Sequence, residues 1–179
     1  MKGNSGEILT TIVVIGLAAI LLFIFPMQSM SEKSDAIAQS NVQSLVTSYV
    51  NKVSTSGILN KSDYEKLESE LAATGNSYDI EMEVRISDKN PGKKNDNQKL
   101  GDTTYYSIFT EQIKLKLDDT LNNPNGIRLK QGDYLIVKVK NNNTTISQMF
   151  KNLLYGLTGN ESYVVFVKYS SSIIATGNV

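Results

Sequence analysis

From Ile8 to Met27 the chain is almost wholly apolar, reading Ile-Leu-Thr-Thr-Ile-Val-Val-Ile-Gly-Leu-Ala-Ala-Ile-Leu-Leu-Phe-Ile-Phe-Pro-Met. No charged side chain falls between Ile8 and Ser31. About 20 residues at ~1.5 Å rise cover the ~30 Å hydrocarbon core of a bilayer. A single segment crosses lipid only as a helix, because lipid offers backbone groups no hydrogen-bond partners. The competing reading is a cleaved secretory signal, which has a shorter apolar region followed by a small-residue cut site. Here Gln28-Ser29-Met30-Ser31-Glu32 follows instead, so a retained transmembrane helix over 8–27 is expected. Beyond it the pattern changes. Ala38, Val42, Leu45, Val46, Tyr49 and Val53 recur at three- and four-residue spacing, with Asp35, Gln39, Gln43, Thr47 and Asn51 on the other face. This amphipathic stripe extends the helical reading to 7–55, a rod of about 70 Å. Pro26 predicts a break, because proline lacks a backbone donor and crowds the preceding turn. A kinked rod, or a second helix starting near Ser31 or Ser34, both remain open.

The remainder, 56–179, reads as a small domain. Thr55-Ser56-Gly57 ends the long helix, and Ser62-Asp63-Tyr64-Glu65 suggests a capping box before a short helix stopped at Gly75. Tyr78, Ile80, Met82, Val84 and Ile86 alternate with Asp79, Glu81, Glu83 and Arg85, a half-buried strand. A polar loop is expected from Asp88 to Asp102. Residues 107–119 lean to helix, with a turn at Asn122-Asn123-Pro124-Asn125-Gly126. Ile127–Leu129 and Tyr134–Val139 flank Lys130-Gln131-Gly132-Asp133 and predict a hairpin. Ile146, Met149, Phe150, Leu153, Leu154 and Leu157 form a helical apolar stripe, expected in the core, with a partner-binding face as the lesser alternative. Tyr163–Tyr169 is the most β-prone run and suits a central strand. The fold class expected is α+β: a long hydrophobic helix, then an antiparallel sheet with short helices. Three Thr-Gly-Asn tripeptides, at Thr74, Thr158 and Thr176, read as stop signals. Asn60, Asn143 and Asn160 head glycosylation-type triplets.

Composition narrows the function classes. Formal net charge is zero, so there is no basic field for nucleic acid, and none is expected as a partner. The chain has no Cys and no His, which removes disulfides, thiolate metal sites and the usual acid–base group near neutral pH. No Walker or dinucleotide pattern is present, and no Ser-x-x-Lys motif stands in a strand–helix setting. No catalytic, cofactor-binding or metal residue is therefore assigned, and no enzyme is expected. Lys2 and the terminal amine precede the span, while Glu32, Lys33 and Asp35 follow it without excess positive charge. The positive-inside rule then puts the N-terminus inside and the domain outside.

Glu7 stands at the mouth of the apolar run, behind Met-Lys-Gly-Asn-Ser-Gly. The plain reading is a carboxylate in a first helical turn, favoured by the helix dipole and the headgroup layer. The pattern Lys2-Gly3 … Glu7 followed by an unbroken apolar helix also resembles the prepilin signal of type IV pilins, including Tad-type and archaeal pilin-like proteins. That resemblance implies a leader over 1–6 processed at Lys2-Gly3 by a dedicated peptidase, although cleavage after Gly3 leaves Glu7 at mature position four and cleavage before Gly3 at five. It implies a cell-surface homo-oligomeric filament, membrane-anchored before assembly machinery extracts it. The residues it implicates are Glu7 for register, Ile8, Ile12, Leu22 and Phe25 for core packing, Gly16 for close helix approach and Pro26 for flexibility. The proline in the outer part of the first helix fits the same family. The resemblance covers about the first 55 residues. The alternative function is a monomeric anchored accessory or binding protein of a secretion or conjugation system.

Overall fold

The structure is a computed structural model and describes residues 4–87, 105–155 and 165–175. In chain order the elements are α1 (Asn4–Ser56), β1 (Ile58–Leu59), α2 (Lys61–Ala72), β2 (Tyr78–Ser87), β3 (Tyr105–Phe109), α3 (Thr110–Asp118), β4 (Ile127–Arg128), β5 (Tyr134–Asn141), α4 (Ile146–Tyr155) and β6 (Phe166–Ser172). The expected α+β class holds: a long N-terminal apolar helix, then a small domain of antiparallel strands and short helices. Two compact units form. One joins Met1–Ile37 to Thr144–Glu161, and the other joins Ala38–Asn143 to Ser162–Val179.

In the second unit a four-stranded sheet runs in the order β3-β2-β5-β6, antiparallel throughout. Register brings the apolar alternates of neighbouring strands together. Val84 pairs with Leu135, Met82 with Val137, and Ile80 with Val139, which in turn pairs with Val167. This face lies in the core with Val42, Val46, Tyr49, Val50 and Val53 of α1, Tyr64, Leu67 and Leu71 of α2, and Ile113 and Leu117 of α3. The opposite face mixes charged residues with Ile136, Phe109 and Phe166, and Glu81 there meets Lys140 at 3.1 Å and Lys138 at 3.7 Å.

The stripe expected on α1 is the one that is buried, from Ala38 through Val53, with Leu45 packed at its margin. Gln39 and Asn51, expected on the solvent face, instead turn to β6. The Gln39 amide donates to the Phe166 carbonyl at 2.9 Å and accepts from the Phe166 N–H at 3.0 Å. Asn51 Oδ1 accepts from the Tyr169 hydroxyl at 3.2 Å. Gln39 thereby stands in for a ladder neighbour at the open edge of β6. Gly57 ends α1 at φ 68°, its N–H reaching the Val53 carbonyl at 2.8 Å. That is the left-handed conformation that favours glycine.

Several local expectations are corrected. The N-cap of α2 is Asn60 and not Ser62, because Asn60 Oδ1 accepts from the Asp63 N–H at 2.8 Å. The stop after α2 does fall at Gly75, φ 86°. The run expected as helix from 107 begins as strand β3 and turns helical at Thr110. Thr110 Oγ1 accepts from the Met82 N–H at 2.8 Å and donates to the Met82 carbonyl, continuing the sheet with a side chain. The predicted hairpin is absent: β4 pairs with β1, and β5 pairs with β2 and β6. The turn is real, closed by Asp133, whose buried carboxylate accepts from the N–H groups of Lys130 (2.8 Å) and Ser87 (2.9 Å). It sends the chain between two sheets instead of folding one strand back on the other. The turn ending at Gly126 also forms, and only glycine fits there. A Cβ would lie 2.5 Å from the Leu59 carbonyl oxygen. β6 is an edge strand and not a central one; β2 and β5 are central. The loop expected at 88–102, the start of the β-prone run at Tyr163, and the Thr-Gly-Asn stops at 158 and 176 lie outside the described residues.

Candidate assembly and membrane-anchoring helix

The first unit contains the part of α1 that carries the sequence-predicted site. α1 spans 53 residues, about 80 Å of helix, and runs through Pro26 without interruption. The expected break is therefore not found. Proline deletes a single backbone donor, and one lost bond need not end a helix whose neighbouring turns keep theirs.

Glu7 lies in the first turn and is exposed. Ile8, Ile12, Leu22 and Phe25 are exposed at 59%, 63%, 71% and 59%. Their exposure is shared by every residue described from Gly6 to Phe23, and among the described residues no side chain before Ala38 is buried. At about 100° per residue, Glu7, Val14, Ala18 and Phe25 fall on one face and Gly16 on the opposite one. No face of this helix is polar, which suits an environment apolar on all sides. Nothing lies within 4 Å of where a Gly16 Cβ would stand, so the chain itself does not require glycine there. The hydroxyls of Thr10 and Thr11 donate to the carbonyls of Gly6 and Glu7, each at 2.8 Å. Both threonines thus enter an apolar setting with their donors satisfied. Lys2 and Gly3 lie outside the described residues. The segment is long and apolar enough to cross a membrane.

The helix expected from Ile146 forms as α4, but the sequence did not reveal which way it faces. Its apolar stripe was expected to face the core. Instead Ile146 is 63% and Met149 58% exposed, while Thr145 and Ser147 are buried. The polar side is held to α1. Asp35 accepts from the hydroxyls of Thr145 (3.1 Å) and Ser147, and Lys151 pairs with Glu32 at 3.5 Å. Helical spacing locates an apolar face; it does not say that the neighbouring helix offers a carboxylate. The side chains of Phe150, Leu153 and Leu154 lie outside the description, as does Leu157.

In the second unit an open hollow lies between α2, β2 and α3. It is lined by Tyr64, Glu68, Asp79, Glu81, Glu111 and Lys114 among others. Its acids and lysines are surface charges. Among the described residues no group of three acidic, His or Cys side chains is placed to hold a metal ion. Two of the triplet asparagines serve the fold: Asn60 caps α2, and Asn143 donates to Asn76 Oδ1 at 3.0 Å while its own Oδ1 accepts from the Ser77 N–H at 3.0 Å.

Comparison with protein-family models, curated proteins and solved structures finds no match to this chain.

Proposed function

We propose that this chain is a non-enzymatic structural subunit of a type IV pilin-like extracellular filament, anchored in the membrane before assembly and packed through the first part of α1. The observation that carries the reading is the apolar helix with, among the described residues, no buried side chain before Ala38 and a single carboxylate, Glu7, at its head. So much greasy surface needs lipid or copies of itself around it. Glu7 supplies what pure grease lacks, a preferred axial position. A carboxylate drawn into an apolar bundle is stable only beside a cation, and the terminal amine of a neighbouring copy meets it in one register alone. Gly16, unconstrained by its own chain, suits close approach of a neighbouring helix.

The test is Glu7→Ala in the native host, with surface shearing and membrane fractionation. Filaments disappear from the sheared fraction while the chain remains in the membrane. Filaments formed at wild-type yield by the variant remove the role of Glu7. Absence of sheared filaments from wild type, with a monomeric chain in the membrane, favours the anchored accessory protein instead.

A further inference from the structure

We propose that Asn125 is a site of spontaneous modification, converted by its own neighbour Gly126 to aspartate and isoaspartate, and that isoaspartate there loosens the pairing of β4 with β1. The step needs only water. The Gly126 backbone nitrogen bonds to Asn125 Cγ, the Cγ–Nδ2 bond breaks, and the proton of Gly126 leaves with Nδ2 as ammonia. A five-membered succinimide ring remains. Water cleaves that ring at Cγ to give aspartate, or at the Asn125 backbone carbonyl to give isoaspartate, whose main chain runs through the former side chain.

Two requirements select this asparagine. The attacking nitrogen must be unhindered, and Asn125 is the only asparagine in the chain that a glycine follows. The side chain must also be free to swing onto the backbone. Asn122 is held by Asp119 at 2.8 Å and Asn123 by the Lys116 carbonyl at 3.2 Å. The exposed Asn125 side chain has no hydrogen bond among the described residues. Packing keeps the reactive neighbour in place. Gly126 stands at φ 84°, and a Cβ there would lie 2.5 Å from the Leu59 carbonyl oxygen. One bond restrains the reaction. The Gly126 N–H donates to the Asn123 carbonyl at 3.1 Å, and it must open before the nitrogen attacks. The folded chain therefore reacts severalfold more slowly than the unfolded one.

The two products act differently on the fold. The new carboxylate falls in an open hollow lined by Lys116 and Arg128 and, among the described residues, by no acid. Charge alone is tolerated there. Isoaspartate instead adds a carbon to the backbone of the turn that leads into β4. Gly126 is displaced from Leu59, and with it the pairing of Ile127 with Leu59 and of Arg128 with Ile58.

The full chain is incubated in detergent at mildly alkaline pH, with and without urea, and its tryptic peptide Leu117–Arg128 is followed by mass spectrometry with electron-transfer fragmentation, which tells isoaspartate from aspartate. That peptide also carries Asn122 and Asn123 as internal references; Asn123 precedes a proline, which has no N–H to attack with. The expected result is conversion of Asn125 in the folded chain severalfold faster than of Asn122, with isoaspartate exceeding aspartate, and faster again in urea. Asn125→Gln, whose longer side chain closes a less favourable ring, stays unconverted. In hydrogen exchange the isoaspartate-enriched chain opens faster at Ile58 and Leu59, whereas Asn125→Asp matches wild type. Conversion in urea with none above the Asn122 rate in the folded chain overturns the site, because the turn then shields the pair. Aspartate without isoaspartate overturns the ring-closing route. Unchanged exchange at Ile58 and Leu59 in the isoaspartate form overturns the coupling of this turn to β4.

Discussion

The Tyr49 hydroxyl is buried without a hydrogen-bond partner. Burial, and behind it the Asp63 carboxylate, pushes this phenol well above its ordinary value of 10.0. A folded-state value raised above the unfolded one gives stability that is complete below about pH 10 and lost as pH rises further, since only the unfolded chain then ionises freely. Tyr49→Phe removes an unsatisfied polar atom and keeps the ring. Stability should be unchanged or rise by about 1 kcal/mol, about 2–4 °C in Tm, and its alkaline loss should begin at higher pH. Near-ultraviolet circular dichroism melts of the detergent-solubilised chain at pH 8 and pH 11 check both. Glu83 runs the other way. The Arg85 guanidinium at 2.8 Å holds its carboxyl below the usual 4.5; burial opposes it in part, and the Ser107 hydroxyl at 2.8 Å adds a smaller lowering. Its contribution is complete above that ordinary value and fades as pH falls through the lower folded one. Glu83→Gln should therefore lower Tm at pH 7 and leave it closer to wild type at pH 3.

At the scale of elements, the edge of β6 depends on one side chain. Gln39 occupies both backbone groups of Phe166, and an edge left open is a site for unwanted pairing. Gln39→Ala should cost about 1–2 kcal/mol and speed amide exchange at Phe166 above that at Val137, which sits in a central strand. Hydrogen exchange with peptide-level resolution would read the difference. The elements also mark how far sequence reasoning reaches. The stripe from Ala38 to Val53 and the alternation in β2 were legible because periodicity is local and the partner surface is apolar. The pairing of β4 with β1 was not, since a turn at Gly132 looks the same whether its arms pair or part. The edge position of β6 was hidden because β-propensity reports pleated burial and not strand order. The candidate site was half legible. Glu7 and the apolar run announce themselves by composition, whereas the roll of α4 depends on Asp35, distant in sequence and visible only once the chain is folded.

For the whole molecule, the first buried side chain of α1 among the described residues is Ala38, and the core that includes Val42 through Val53 belongs to the unit that begins there. The apolar span therefore adds nothing to that core. A chain beginning at Ala36 should fold without detergent, with a near-ultraviolet tyrosine spectrum matching the full chain and a Tm within a few degrees of it. The same truncation deletes Glu32 and Asp35, and with them the contacts that hold the polar side of α4. α4 should then fray, because an isolated helix of about ten residues is marginal in water. Limited trypsin digestion separates the two consequences. Cleavage after Lys151 should be severalfold faster than in the full chain, while cleavage after Lys138 and Lys140, paired with Glu81 in the central strand, stays slow. If Lys138 and Lys140 are cut as quickly as Lys151, the span is needed for the core, and the division of labour along α1 between anchor and domain does not hold.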